Sequence, residues 1–188
     1  MASMLGGLGM DMPIVDAVIC QDEEGHRILA KYYSKRAFRT PEDQAKFEVE
    51  LHKKTKHHSP KVEAQVTTFE DSTTVYRLCG DVTFFVVGST TENELILVHV
   101  LDGLVDAVTS LLKFAPEKRN LLSNVELVLL AVDELIDGGI IFETDPTAIE
   151  ARVMMRGAVP EATSSYSEVT LSSLASQARE AVGRSLFK

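Results

Sequence analysis

The apolar positions of the first ninety residues fall mostly at strand spacing. Ile14 to Cys20 is a short, nearly continuous apolar run with β-branched residues, which predicts a strand in the middle of a sheet. Gln21 to Gly25 is a polar turn. From Arg27 to Tyr33, Ile28, Ala30 and Tyr32 alternate with Leu29, Lys31 and Tyr33, a second strand hairpin-paired with the first. Thr40-Pro41-Glu42-Asp43 starts a helix: Thr40 can cap free N–H groups, Pro41 fits the first turn, and the two acids suit the positive end of the dipole. That helix is expected to reach about Lys56. Its apolar residues form two pairs on nearly opposite sides, Ala45/Val49 and Phe47/Leu51, and the sequence leaves open which pair faces the sheet. Three strands follow, Val62 to Phe69, Thr73 to Cys79 and Val82 to Gly88, separated by turns short enough to make them antiparallel neighbours.

After Thr91 the spacing becomes helical. Thr91-Glu92-Asn93-Glu94 has the form of a capping box and opens a long helix that Pro116 stops. Leu95 to Phe114 is long and apolar enough to suggest a membrane span, but it carries His99, Asp102, Asp106, Thr109 and Lys113 at steps of three or four. A charge inside a span costs roughly 2.5–3.5 kcal/mol, so this stripe predicts the wet side of a soluble core helix. A further helix is expected from about Lys118 to Asp137, ended by Gly138-Gly139, and Asp145-Pro146 opens a short one to about Met154. From Arg156 to Thr170 Pro, Ser, Thr and Ala dominate, a linker composition; Leu171, Leu174, Ala178, Ala181, Val182 and Phe187 then form a weak apolar stripe at helical spacing. The order ββαβββ followed by helices predicts an α/β fold with one five-stranded, mainly antiparallel sheet and helices on its faces. The expected divisions are a disordered tail at 1–12, a domain at 13–155, and a linker with an amphipathic helix at 156–188.

Composition narrows the function. The chain has 188 residues, 45% hydrophobic and 25% charged, enough for one real core plus tails. A net charge of −9 repels phosphate backbones, so neither nucleic-acid binding nor broad attraction to anionic lipid is expected. Cys20 and Cys79 sit in strand-like runs without a CxxC pair, and are read as reduced thiols of a cytosolic protein that could bridge only from adjacent strands. Met1 to Met12 has no basic residue before its apolar positions and does not read as a signal peptide; position 2 is not glycine, so myristoylation is not indicated.

Catalytic signatures are absent: GxxxxGK, GxGxxG and GxSxG do not occur. His99 with Asp102 or Asp106 would share one helix face and could make a general-base pair, but no nucleophile or cofactor loop accompanies them. His57 and His58 are adjacent without a third ligand, so no metal is expected. Lys53, Lys54, Lys56 and Lys61 form a basic cluster without interleaved aromatics, able to touch anionic lipid or an acidic partner but not to stack on bases. Asp133, Glu134 and Asp137 crowd one helix end, where they either face solvent or meet a basic partner. Exposed apolar pairs at helical spacing mark partner grooves. The candidate partner contacts are therefore Phe47 and Leu51, together with Leu171, Leu174, Ala178 and Val182 of the C-terminal stripe.

One run of residues points further. Leu129 to Pro146, reading LLAVDELIDGGIIFETDP, is similar to the coatomer zeta pattern of AVDE, a DGG turn, then E-S/T-D-P. Ala30-Lys31-Tyr32-Tyr33, Val87-Gly88-Ser89, Glu92-Asn93-Glu94-Leu95 and Glu117-Lys118-Arg119 match in the same order. Over about Pro13 to Arg156 the chain resembles the longin-like small subunits of vesicle coats, which include the clathrin-adaptor sigma subunits and coatomer zeta. The resemblance implies a longin-like sheet and a non-catalytic subunit of the COPI coatomer, without cofactor, metal, small-molecule substrate or nucleic acid. It implies binding to the helical trunk of the coatomer gamma subunit, and a cytoplasmic location peripheral to Golgi membranes and COPI vesicles. It also implies a role in Golgi-to-ER and intra-Golgi transport. The alternative is a sigma-like chain that binds sorting-signal peptides.

Overall fold

The computed structural model describes residues 14–56, 63–69 and 71–157. By its internal contacts the chain divides into two compact units, 1–154 and 155–188, and the fold below is that of the first. Its centre is a five-stranded antiparallel sheet in the order β2-β1-β5-β4-β3. The strands are β1 (Val15–Asp22), β2 (Arg27–Tyr32), β3 (Gln65–Thr68), β4 (Ser72–Cys79) and β5 (Val82–Ser89). The β1–β2 hairpin forms one side. Helix α1 (Pro41–Thr55) then carries the chain across one face to β3 at the opposite edge, and the β3-β4-β5 meander returns to lie beside β1.

Both faces are covered, which explains why β1 and β5 read as continuous apolar runs. Val18, Cys20, Phe84 and Val86 point into one core, packed against the helices that follow the sheet. Ala17, Ile19, Phe85 and Val87 alternate with them and point to the α1 side. Thr40 caps α1 as expected: its hydroxyl accepts the Asp43 N–H at 3.1 Å and the Asp43 carboxylate accepts the Thr40 N–H at 3.2 Å.

Four expectations about the helices are corrected. Helix α2 (Glu94–Leu112) is capped by Asn93, whose side-chain oxygen accepts the Leu95 N–H at 2.9 Å, not by Thr91, whose hydroxyl pairs with Ser89 at 3.0 Å. It ends at Leu112, before Pro116, because Lys113 turns left-handed at φ 56°. The predicted single helix to Asp137 is two, α3 (Lys118–Ser123) and α4 (Val125–Leu135); Asn124 leaves helical geometry between them and its side chain donates to the Asn120 carbonyl. Gly138-Gly139 does not end a helix but turns a small hairpin of β6 (Ile136–Asp137) and β7 (Ile140–Ile141). Both glycines have positive φ, 58° and 94°, as a primed two-residue turn requires. The Gly139 carbonyl accepts the Val15 N–H at 2.8 Å and Ile14 bridges Ile140, so the hairpin seals the start of β1. Helix α5 spans Pro146–Gly157.

Among the described residues α2 is the helix long and apolar enough to cross a membrane, by length and composition alone. It packs on β4, β5 and α4, and its outward side carries exposed His99, Asp106, Thr109 and Lys113 with half-buried Asp102, the predicted stripe. At Gly103 a Cβ would lie 2.7 Å from the Thr144 carbonyl, so glycine is what lets the segment before α5 lie against α2.

Candidate functional site

Helix α1 settles the choice between its two apolar pairs. Leu51 is 0% exposed and packs with Ile19, Phe85 and Val87, whereas Val49 is 52% exposed and Ala45 lies on the same outward side. Leu51 is therefore a core residue and is corrected as a partner contact: it cannot reach another protein while α1 stays docked. Phe47 is intermediate. It is half-buried, in a row with Phe38 and Phe69 at centroid distances of 5.0 and 5.1 Å. Leu171, Leu174, Ala178 and Val182 lie outside the described residues, as do His57, His58 and Lys61.

A buried acid sets the roll of α1. Glu48 is 7% exposed and accepts from Arg27 Nε at 3.0 Å, Arg27 Nη2 at 2.6 Å and the Tyr32 hydroxyl at 2.6 Å. Gln21 Nε2 donates to the Glu48 carbonyl at 3.1 Å. The hydrogen bond it donates to Glu48 holds the Arg27 guanidinium above its ordinary pKa. Burial, then Glu48, raises the Tyr32 phenol. A buried charge needs such partners, and here both come from β2, while Gln21 of β1 holds the helix backbone. Sequence reading missed Glu48; its i, i+3, i+7 spacing to Leu51 and Thr55, which places it on the inward side, was the available signal.

The acids at the end of α4 also find partners within the chain. Asp133 pairs with Lys31. Buried Glu134 faces Arg152 of α5 at 3.8 Å, and Arg152 reaches Glu143 at 3.3 Å while lying 5.4 Å from the Phe142 ring centroid. No basic partner protein is needed to relieve these two. The suggested base pair on α2 is not assembled: His99 Nε2 lies 3.0 Å from the Thr144 hydroxyl, and Asp102 accepts from Arg77 at 3.1 Å.

Asp22, Glu24 and His26 bring one ligand atom each within 4.8 Å, a spacing that a cation could use. The Asp22 carboxylate is already committed, however. It accepts the N–H groups of Glu24 and His26 at 3.1 and 2.7 Å and the Lys118 ammonium at 2.8 Å. Burial opposes its ionisation, but Lys118 and the His26 N–H outweigh burial and hold its pKa at about 2. The cluster clamps the β1–β2 turn to α3. Cys20 and Cys79 are free thiols on β1 and β4, with β5 between them, and burial raises the pKa of each.

Residues 14–159 match the model of the clathrin adaptor complex small chain family. Coatomer subunit zeta-1 of Arabidopsis thaliana is 42% identical over 176 residues, covering 94% of this chain and 98% of that one. Coatomer subunit zeta-1 of Homo sapiens is 37% identical, covering 93% of each chain. Among solved assemblies, a chain of a homology model of the full-length AP-3 complex in a stretched open conformation superposes with a TM-score of 0.61 at 17% identity. It covers 81% of this chain and 99% of its own, a likeness of fold alone.

Proposed function

The chain belongs to the clathrin adaptor complex small chain family, and from that membership we propose that it is a non-catalytic structural subunit of the COPI coatomer. The observation that carries the proposal is identity of 37–42% with coatomer zeta subunits along nearly their whole length. In this reading the protein docks on the helical trunk of the large gamma subunit and joins the coat from the cytoplasm. It sits peripherally on Golgi membranes and supports retrograde and intra-Golgi transport. Its domain at 13–155 supplies the docking body. The segment 156–188, with Leu171, Leu174, Ala178 and Val182, supplies a second apolar strip. Phe47 remains a candidate contact because part of its ring is accessible. An obligate interface of this kind buries roughly 2,000 Å² or more.

Affinity purification from cytosol with identification of the co-eluting subunits tests the reading. A helical-repeat coat subunit should co-elute in stoichiometric amount; recovery of the protein only as a free monomer would sink the idea. Titration with acidic dileucine peptides separates it from a sigma-like role, in which tight, saturable binding is expected.

A further inference from the structure

Where the last turn of α1 meets the sheet there is a small pocket of about 180 Å³. Its floor is Tyr76 of β4 and Phe85 of β5, a cross-strand pair whose rings stack at 5.8 Å between centroids. The next pair along the same two strands, Leu78 and Thr83, continues that floor. Thr55 stands on the helix side, and Gln21 of β1, 1% exposed, lines the buried side. Three polar groups of the lining are already committed. The Thr55 hydroxyl donates to the Leu51 carbonyl at 2.9 Å, and the Tyr76 hydroxyl donates to Gln65 Oε1 at 2.9 Å. The Asp22 carboxylate holds Lys118 and two backbone N–H groups. Gln21 differs. Its Nε2 donates to the Glu48 carbonyl at 3.1 Å, which fixes the carboxamide, while its Oε1 is buried without a hydrogen-bond partner among the described residues. A buried acceptor left unpaired is costly, so a donor that reaches it gains what the fold leaves unmade.

We propose that this pocket binds a neutral, flat ring compound that donates a hydrogen bond to Gln21 Oε1. Size sets the first limit. A cavity of roughly 150 Å³ takes benzene, and drug-sized ligands occupy roughly 300–1,000 Å³, so about 180 Å³ suits one ring or two fused rings. The floor sets the shape, because a flat ligand can lie against the Tyr76 and Phe85 rings in an offset or edge contact. The unpaired oxygen sets the polarity: a donor satisfies it and an acceptor is repelled by it. Charge selects neither sign. Glu23 and Lys56, the exposed charges of the lining, are opposite, and Asp22 is paired with Lys118. A ligand seated here touches β1, β4, β5 and the end of α1 at once, and so ties the helix to the sheet.

The test uses the full-length protein and indole, a neutral bicycle with one N–H. The chain contains no tryptophan, so indole excited beyond the tyrosine band is seen without background. Its emission should shift to the blue and saturate as protein is added. Benzofuran has the same shape with an oxygen in place of the N–H, and should displace indole only at about tenfold higher concentration. Gln21→Met keeps the side-chain length and removes the acceptor, and in that variant the two ligands should compete equally. Thr83→Phe and Leu78→Phe, each at a half-buried floor position, fill the pocket and should abolish the shift; urea unfolding checks that each variant is folded. Val49→Ser, on the outer side of α1, should bind as the wild type does. Should Gln21→Met fail to fold, the indole–benzofuran comparison on the wild type decides the matter alone. A titration that never saturates, benzofuran binding as tightly as indole, or a shift retained in a folded filling variant each overturns the proposal. None of these outcomes bears on co-elution with coat subunits, so the coat reading stands or falls separately.

Discussion

Leu51 and Val49 are two residues apart on one helix and face opposite directions, so they separate packing from surface chemistry. Leu51→Ala should leave a cavity between α1 and the sheet and cost about 2–5 kcal/mol in denaturant unfolding. Val49→Ser should change stability by no more than about 0.5 kcal/mol. Asp22 is one residue through which pH reaches the fold. Its carboxyl has an ordinary value of 3.8 and is held at about 2 in the folded chain. A depressed folded pKa stabilises the protein at pH values above the ordinary one. That contribution is lost as pH falls from about 4 through about 2. Asp22→Asn keeps an oxygen for the Glu24 and His26 N–H groups but removes the charge. The variant should therefore show a shallower loss of stability over that acid range than the wild type, measured as urea midpoint against pH.

At the scale of elements, the start of α2 shows how a motif can be present and unused. The Thr91-x-x-Glu94 spacing fits a capping box, yet the helix begins two residues later because the Asn93 side chain accepts the Leu95 N–H directly. Asn93→Ala should cost about 0.5–2 kcal/mol in thermal or denaturant unfolding, while Thr91→Ala stays within about 0.5 kcal/mol. The reverse ranking would restore the capping box. The β6–β7 hairpin is the other case. A Gly-Gly pair after an apolar helical run reads as a helix stop. The same pair serves a tight hairpin when β1 offers the Val15 N–H to the Gly139 carbonyl and Ile14 to Ile140. Local spacing cannot tell these uses apart, because the deciding partner is more than a hundred residues away in the chain.

For the whole molecule, association should show as stability. Anything that binds only the folded state raises its stability by mass action, by about 2.7 kcal/mol when the free partner is a hundredfold above its dissociation constant. The subunit co-expressed with its proposed large partner should therefore melt at a higher temperature than the subunit alone, in calorimetry at matched concentration. Equal melting temperatures would mean that the isolated domain is already complete. Its own packing is substantial: two cores, one on each face of the sheet, account for the fully buried apolar side chains of β1, β5, α2 and α4.

Much of this was legible in the residues themselves. Strand spacing, the Thr40 cap and the polar stripe of α2 determined the ββαβββ order and the outward polar side of the long helix, because these are periodic or short-range effects. The Leu129 to Pro146 run pointed to the family on its own. Only tertiary structure decided which side of α1 is buried, since both pairs are apolar and at helical spacing, and the buried side is the one on which Glu48 meets Arg27 and Tyr32 from β2. Tertiary structure also decided that Asp133 and Glu134 are satisfied within the chain, and that Gln21, Thr55, Tyr76 and Phe85 line one pocket. Each of those outcomes depends on side chains brought together by the sheet's crossover and helix packing, and distance in space is what a linear pattern does not carry.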